Sequence, residues 1–224
     1  MTFSIAARCE NTGMFGLAVS SSSPAVAARC AYARAGAGAV ASQNITDPTL
    51  GPKTLDLMAG GASAPEAVAQ LAANTPFIQY RQLTAIDGEG RTAHFSGEHT
   101  LGTHAVAAGI NVVCAGNLLA NRDVPSAMVA AFENSSGDLG DRIIGAMKAA
   151  LAAGGEAGPV HSAGLYLVRD VAWPVADLRV DWHETDPISA LAGLWDLYKP
   201  QLEAYVTRAL DPREAPSYGV PGDT

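Results

Sequence analysis

Basic residues are scarce in this chain. Its 224 residues include 14 Lys and Arg against 22 Asp and Glu, so the formal net charge is −8 at pH 7. Nucleic acids and anionic membranes are bound through clustered Lys and Arg, whereas the basic residues here are scattered. We therefore expect neither a nucleic-acid partner nor a membrane partner, and we attribute the acidity to solubility.

Cysteine is also scarce, with Cys9, Cys30 and Cys114 at wide spacings. The chain has no CxxC pair and no Cys/His cluster of the zinc-binding type, which favours buried thiols in a reducing compartment. Its start lacks the basic region and long apolar run of a signal peptide, and no apolar stretch approaches the length of a membrane span. These absences predict a cytoplasmic protein.

The common cofactor motifs are missing as well. The chain has no phosphate-binding loop, no dinucleotide fingerprint, no Gly-x-Ser-x-Gly elbow and no His-Glu-x-x-His. His94, His99 and His104 recur every five residues, which fits neither ligands on one helix face nor strand alternation. Asp181 and His183 have no clear further ligands nearby. We expect no cofactor and no metal.

The chain does contain the material for a substantial core. Apolar residues make up 48% of it and charged residues only 16%, a balance typical of a folded protein rather than a disordered one. No linker-like, repeated or low-complexity segment divides the sequence. We predict a single domain over residues 1–210 and an irregular, proline-containing tail over residues 211–224.

Strand-like and helix-like segments alternate in groups. The predicted order is strands at 2–8, 14–20 and 36–43, helices at 52–58 and from 63, strands at 81–87, 91–95, 105–108 and 111–115, helices at 124–132 and 139–153, strands at 162–169 and 177–184, and helices from 186. Strand groups separated by helix pairs predict an α+β fold, in which two stacked antiparallel sheets are covered by helices on both outer faces. The edge strands of such sheets need cover, which favours a homo-oligomer.

The second residue carries a hydroxyl group. If Met1 is removed, the freed α-amino group of Thr2, with an ordinary pKa of about 8, can take the proton of its own hydroxyl. Small second residues usually permit removal of the initiator methionine. Thr2 is therefore a candidate N-terminal nucleophile, but only in molecules that have lost Met1.

Six short segments and one dipeptide carry a resemblance that spans nearly the whole chain. They are TFSI at 2–5, GLAVS at 16–20, AGAGAVASQ at 35–43, YRQL at 80–83, AGNLLA at 115–120, DLRVDWH at 177–183 and Asp186-Pro187. Together they resemble a bacterial family catalogued as domain of unknown function 1028, which is grouped with the N-terminal nucleophile (Ntn) hydrolases. The resemblance implies a four-layer αββα sandwich and no particular substrate. Residues 154–163 depart from the family pattern, in which a more basic stretch ending in Gln-Ser-Ala is expected, so no role is assigned to His161.

Five further residues are candidates for the site. Asn117 follows a predicted buried strand and is the first choice for an amide donor to an oxyanion, although a Gly-Asn pair also suits a simple turn. Arg34 and Arg81 are candidates to bind a substrate carboxylate, with surface ion pairs as the alternative. Gln43 and Ser20 are candidates to line the pocket, with backbone capping and a turn as their alternatives.

The leading hypothesis is an Ntn-type amidohydrolase that cleaves a small amide or ureido-type compound. Thr2 would attack the carbonyl, its freed amine would shuttle the proton, and water would release the acyl group. The alternative from a different class is a non-catalytic binding or scaffold protein that retains the sandwich. A third hypothesis uses Cys30 or Cys114 as the nucleophile.

Overall fold

The computed structural model describes residues 1–221, so residues 222–224 of the expected tail lie outside it. The strands in this range are β1 (Thr2–Arg8), β2 (Phe15–Ser21), β3 (Ala31–Arg34), β4 (Gly38–Asn44), β5 (Arg81–Asp87), β6 (Thr92–Ser96), β7 (Ala105–Gly109), β8 (Val112–Asn117), β9 (Ser162–Val168) and β10 (Ala176–Val180). The helices are α1 (Ala27–Cys30), α2 (Leu50–Ala59), α3 (Ala64–Asn74), α4 (Val124–Glu133), α5 (Leu139–Ala152), α6 (Pro187–Tyr198) and α7 (Leu202–Leu210). Short 3₁₀ turns occupy Ile78–Tyr80 and Lys199–Gln201.

The strands form two antiparallel sheets. One has six strands in the order β10-β9-β2-β1-β8-β7, and the other has four in the order β3-β4-β5-β6. The two sheets stack face to face through a core in which Leu17 and Val19 of β2 meet the small side chains of Ala39 and Ala41 on β4. The low bulk of β4 therefore lets the sheets approach each other closely.

Helices cover the outer face of each sheet. Alternation along β1 directs Phe3 and Ile5 outward, where they join a core with Met128 of α4 and Ile143 of α5. On the other side, α2 and α3 pack against the outer face of the four-stranded sheet. The predicted α+β fold with its four αββα layers is confirmed.

Local sequence signals explain where helices begin. Ser63 precedes α3 and its hydroxyl accepts from the backbone N–H of Glu66, while the Glu66 carboxylate accepts from the N–H of Ser63 at 2.8 Å, which is the predicted capping box. Asp186 caps α6 by accepting from the N–H of Ser189 at 2.9 Å. Within residues 1–221, no helix combines the length and the apolar character needed to cross a bilayer.

Two regions differ from the sequence-based expectation. The elements α1 and β3 were not predicted, because segments of four residues are too short to show a period. The last strand ends at Val180 rather than at residue 184. Beyond it, Asp181 accepts a backbone bond from Ala25 and the Trp182 ring stacks on His161 with 4.4 Å between ring centroids, so these residues leave the sheet ladder.

Substitution of Gly38 tests how closely β4 and β5 pack. It has a φ of +151°, and a Cβ at this position would overlap the backbone carbonyl oxygen of Ile86. We expect Gly38→Ala to lower the free energy of unfolding by about 2–4 kcal/mol, because a backbone atom of a central strand cannot move aside cheaply. Urea unfolding monitored by circular dichroism measures the loss.

Gly36→Ala is the matched control for that variant. Gly36 also has a positive φ, +72°, but a Cβ there would meet open space. We expect it to cost only about 1 kcal/mol, the ordinary price of the left-handed backbone region. Equal losses in the two variants would show that backbone conformation, rather than the close approach to Ile86, sets the cost.

Candidate functional site

Thr2 lies at the start of β1, in the middle of the six-stranded sheet. It is 5% exposed and is paired in register with Asn117 of β8. Alternation along β1 directs its side chain between the two sheets, on the same face as Ser4 and Ala6. Its hydroxyl donates a hydrogen bond to the carbonyl oxygen of Met1. The candidate nucleophile therefore lies at one end of the inter-sheet space.

Serine side chains from the end of β2 reach the same position. The Ser21 hydroxyl donates to the carbonyl oxygen of Met1 at 2.6 Å, so this oxygen accepts from both Ser21 and Thr2. The hydroxyl oxygens of Ser21 and Ser23 are 2.8 Å apart, and the Arg29 guanidinium donates to Ser23 at 2.6 Å. A hydrogen-bonded chain thus runs from the half-buried Arg29 to the peptide bond that precedes Thr2.

A buried amide network joins the two sheets beside Thr2. Oε1 of Gln82 accepts from Nε2 of Gln43 at 2.8 Å and from Nδ2 of Asn117 at 3.1 Å. Nε2 of Gln82 in turn donates to the backbone oxygen of Gly116 at 3.2 Å and to the Ser96 hydroxyl at 3.1 Å. Within residues 1–221, Oε1 of Gln43 and Oδ1 of Asn117 are buried without a hydrogen-bond partner. The network therefore keeps two acceptors free.

Glu156 is a buried carboxylate on the loop that follows α5. It is 4% exposed, and its two oxygens accept from the backbone N–H of Ser22 at 3.3 and 3.2 Å. Burial raises the pKa of Glu156 to about 7, an effect that the N-terminal ammonium of Met1 and the bonds from Ser22 partly oppose. The carboxyl is consequently poised to change charge near neutral pH.

The structure brings three of the predicted residues together and places Ser20 on the opposite face. Thr2, Asn117 and Gln43 all lie at the same end of the inter-sheet space. The Ser20 side chain faces the helix layer, where its hydroxyl donates to the backbone oxygen of Ser162 at 2.9 Å. Because side chains alternate along a strand, Ser21 rather than Ser20 reaches the site.

The two predicted arginines are not brought to Thr2. Arg34 pairs in register with Gly38, at the opposite end of β4 from Gln43, and forms an exposed 2.8 Å ion pair with Asp56. Arg81 lies on the opposite face of β5 from Gln82, and its guanidinium donates to the backbone oxygen of Ile45. Helix α2 therefore takes up the guanidinium of Arg34, and the loop after β4 takes up that of Arg81, so neither lies in the inter-sheet space.

The cysteine hypothesis receives no support from the surroundings of the thiols. Cys114 faces the helix layer, away from Thr2, and burial raises its pKa well above the ordinary value. Burial likewise raises the pKa of Cys30, with partial relief from the hydroxyl of Thr46. A thiol with a raised pKa supplies little thiolate at neutral pH and is a poor nucleophile.

Sequence reasoning missed Gln82 and Glu156 as site residues, and within the serine run 20–23 it selected Ser20 rather than Ser21. Gln82 lies within the YRQL segment that carries the family resemblance, and Ser21 lies within a four-serine run, so both segments held a signal. Glu156 lies in the segment 154–163, where the chain departs from the family pattern. Its only sequence signal is an acidic residue within a glycine-rich loop.

Gln82→Ala tests the amide network. We expect the variant to lose about 2–4 kcal/mol of unfolding free energy, because Nε2 of Gln43, Nδ2 of Asn117 and the oxygen of Gly116 would lose their partner while buried. Urea unfolding is the measurement. Thr84→Val is the matched control on the same face of β5, since the Thr84 hydroxyl is buried without a partner within residues 1–221. A comparable loss in Thr84→Val would contradict this explanation.

Glu156→Gln tests the pKa of the buried carboxyl. Because the folded state raises the pKa from 4.5 to about 7, it holds more protons than the unfolded state in that range, and unfolding free energy falls as pH rises through it. We expect the unfolding free energy of the variant to equal that of the parent at about pH 4.5 and to exceed it by about 1–3 kcal/mol at about pH 8. Denaturant unfolding over this range measures it. Glu10→Gln, in an exposed turn, should have the same dependence of unfolding free energy on pH as the parent. The same dependence in Glu156→Gln would refute the raised pKa of Glu156.

Comparison with known proteins found a matching family and similar solved structures. Residues 2–191 match the family of unknown function DUF1028, and no curated protein matches the chain. Protein SPO2555 from Silicibacter pomeroyi, a DUF1028 structure, is similar with a TM-score of 0.82 and 29% identity over 88% of each chain. Anbu (ancestral beta-subunit) from Yersinia bercovieri has a TM-score of 0.38 and 11% identity, over 91% of this chain and 97% of that one. The chain belongs to the DUF1028 family.

Proposed function

We propose that this protein is an Ntn-type amidohydrolase that cleaves a small amide or ureido-type compound, with Thr2 as its nucleophile after removal of Met1. The observation that carries the proposal is the hydrogen bonding of the Met1 carbonyl. Its oxygen accepts from the hydroxyls of both Thr2 and Ser21, so an acyl carbonyl is held beside the candidate nucleophile with a second donor in place.

The surroundings of Thr2 suit the three parts of the reaction. Its hydroxyl is the nucleophile, and its α-amine, once freed, is the base that accepts the hydroxyl proton. Ser21 is a hydroxyl donor for the oxyanion, and Asn117, opposite Thr2 in register, carries an amide donor that is bonded to Gln82 in this structure. Preorganised donors of this kind can each lower the barrier by about 3 kcal/mol.

The reaction has two steps, acylation of Thr2 and hydrolysis of the resulting ester. The Thr2 hydroxyl adds to the substrate carbonyl and passes its proton to the Thr2 amine, which returns a proton to the leaving amine or ammonia as the C–N bond breaks. The resulting ester then adds water, with the same amine as base, and releases the carboxylic acid. While Met1 is attached, the nitrogen of Thr2 is an amide and cannot take this part.

Labelling of Met1-free protein tests the proposal. The full chain lacking only Met1, verified by intact mass, is treated with an acylating β-lactone and analysed by peptide mapping. We expect one acyl group on Thr2, and at least a 100-fold slower reaction in Thr2→Ala because the nucleophile is gone. Ser4→Ala is the matched control, since Ser4 is buried on the same face of β1.

The other outcomes of this labelling experiment favour one of the alternative functions. Met1-free protein that stays unlabelled, or Thr2→Ala labelled as fast as the parent, would refute the nucleophile and favour the non-catalytic binding or scaffold alternative. A label mapped to Cys30 or Cys114 would instead favour the cysteine hypothesis. Protein that retains Met1 should stay unlabelled.

A further inference from the structure

Met1 lies in the candidate site as an aminoacyl group joined to Thr2. Its carbonyl oxygen is held by Ser21 and Thr2. Its side chain passes over Gly158, where a built Cβ would lie 3.6 Å from Cε of Met1. The carbonyl and the side chain of Met1 are thus placed against different parts of the protein. The residue therefore outlines where an acyl group attached to Thr2 is accommodated.

Met1 and the buried carboxylate of Glu156 are hydrogen-bonded to neighbouring residues. Ser21 and Ser22 are adjacent, so the hydroxyl that holds the Met1 carbonyl and the N–H that holds Glu156 come from the same strand end. Within residues 1–221, the Met1 ammonium is the one cation that acts on the pKa of Glu156, where it opposes the effect of burial. A cation at the position of the Met1 ammonium stabilises a buried carboxylate, and removal of Met1 vacates that position because the terminal ammonium then belongs to Thr2.

Acyl groups on the two reactive atoms of Thr2 occupy neighbouring positions. An acyl group on the nitrogen and one on the hydroxyl oxygen interconvert through a five-membered ring that contains both atoms and the same carbonyl carbon. The position of Met1, which is attached to the nitrogen, therefore approximates the position of the acyl part of a substrate that is esterified to the hydroxyl. The position of its ammonium indicates where a substrate amine would lie.

We propose that Glu156 recognises a free α-ammonium group on the acyl part of the substrate. The substrate class is then the amides of small amino acids with an unblocked amine, whose carbonyl meets Ser21 and whose side chain lies along Gly158. This inference rests on the proposed function of Thr2, which it narrows from amides in general to aminoacyl amides. Glu156 acts here as a binding residue and takes no part in the proton transfers.

Binding of an inert pair of ligands tests the proposal. L-methioninamide and N-acetyl-L-methioninamide, which differ in the charge of the amine, are titrated near neutral pH by calorimetry into the full chain lacking Met1. The Thr2→Ala background keeps both probes intact. We expect methioninamide to bind at least about 10-fold more tightly, since an ammonium–carboxylate bond is a strong charge-assisted one. The chain that retains Met1 should bind neither, because Met1 occupies the site.

Matched variants separate charge from general effects. Glu156→Gln keeps the shape and an oxygen that can accept from Ser22, and should weaken methioninamide binding by roughly 10- to 100-fold while leaving the acetylated probe unchanged. Glu10→Gln, in the exposed turn at the other end of β1, should change neither affinity. Equal affinity for the two probes, no binding of either, or no effect of Glu156→Gln would each overturn the proposal.

Hydrolysis distinguishes failure of this inference from failure of the proposed function. Release of methionine from methioninamide is followed by chromatography with Met1-free protein that retains Thr2. Glu156-dependent binding without hydrolysis or acylation would leave the recognition standing and refute the nucleophile. Acylation of Thr2 combined with binding that ignores Glu156 would leave the nucleophile standing and refute the recognition.

Discussion

The structure depends on a strand that is buried on both faces. β1 lies between β2 and β8, with the helix layer on one side and the second sheet on the other. Phe3 and Ile5 supply apolar bulk to the helix side, while Thr2 and Ser4 face the sheet interface. A slip of one residue would exchange these sets and bury phenylalanine where there is room only for small side chains. Packing of the core therefore fixes the direction of the Thr2 hydroxyl.

The fold was predictable because its main elements are long enough to show a period. β1 alternates over seven residues, and α3 begins with a complete capping box, so their positions follow from local chemistry. The pair α1 and β3 has four residues in each element, and its place depends on tertiary contacts such as that of Ala27 against Gly164. Such segments are not encoded in a local pattern.

The site was predictable only where a residue lies at the end of a recognisable strand. Thr2, Asn117 and Gln43 could be identified because the strand order brings their ends together. Gln82 joins them through the register of β5 on β4 and through the stacking of two sheets, which the sequence does not display. Arg34 preceded the correct strand, but the antiparallel turn carries it to the other end.

The serine chain at the end of β2 has a direction. A guanidinium can only donate, so the oxygen of Ser23 accepts from Arg29 and its proton points to Ser21, whose own proton points to the Met1 carbonyl. Aligned hydroxyls of this kind polarise one another, and the last one becomes the stronger donor. The inter-sheet space thus receives part of the field of the half-buried Arg29, while the guanidinium itself remains outside that space.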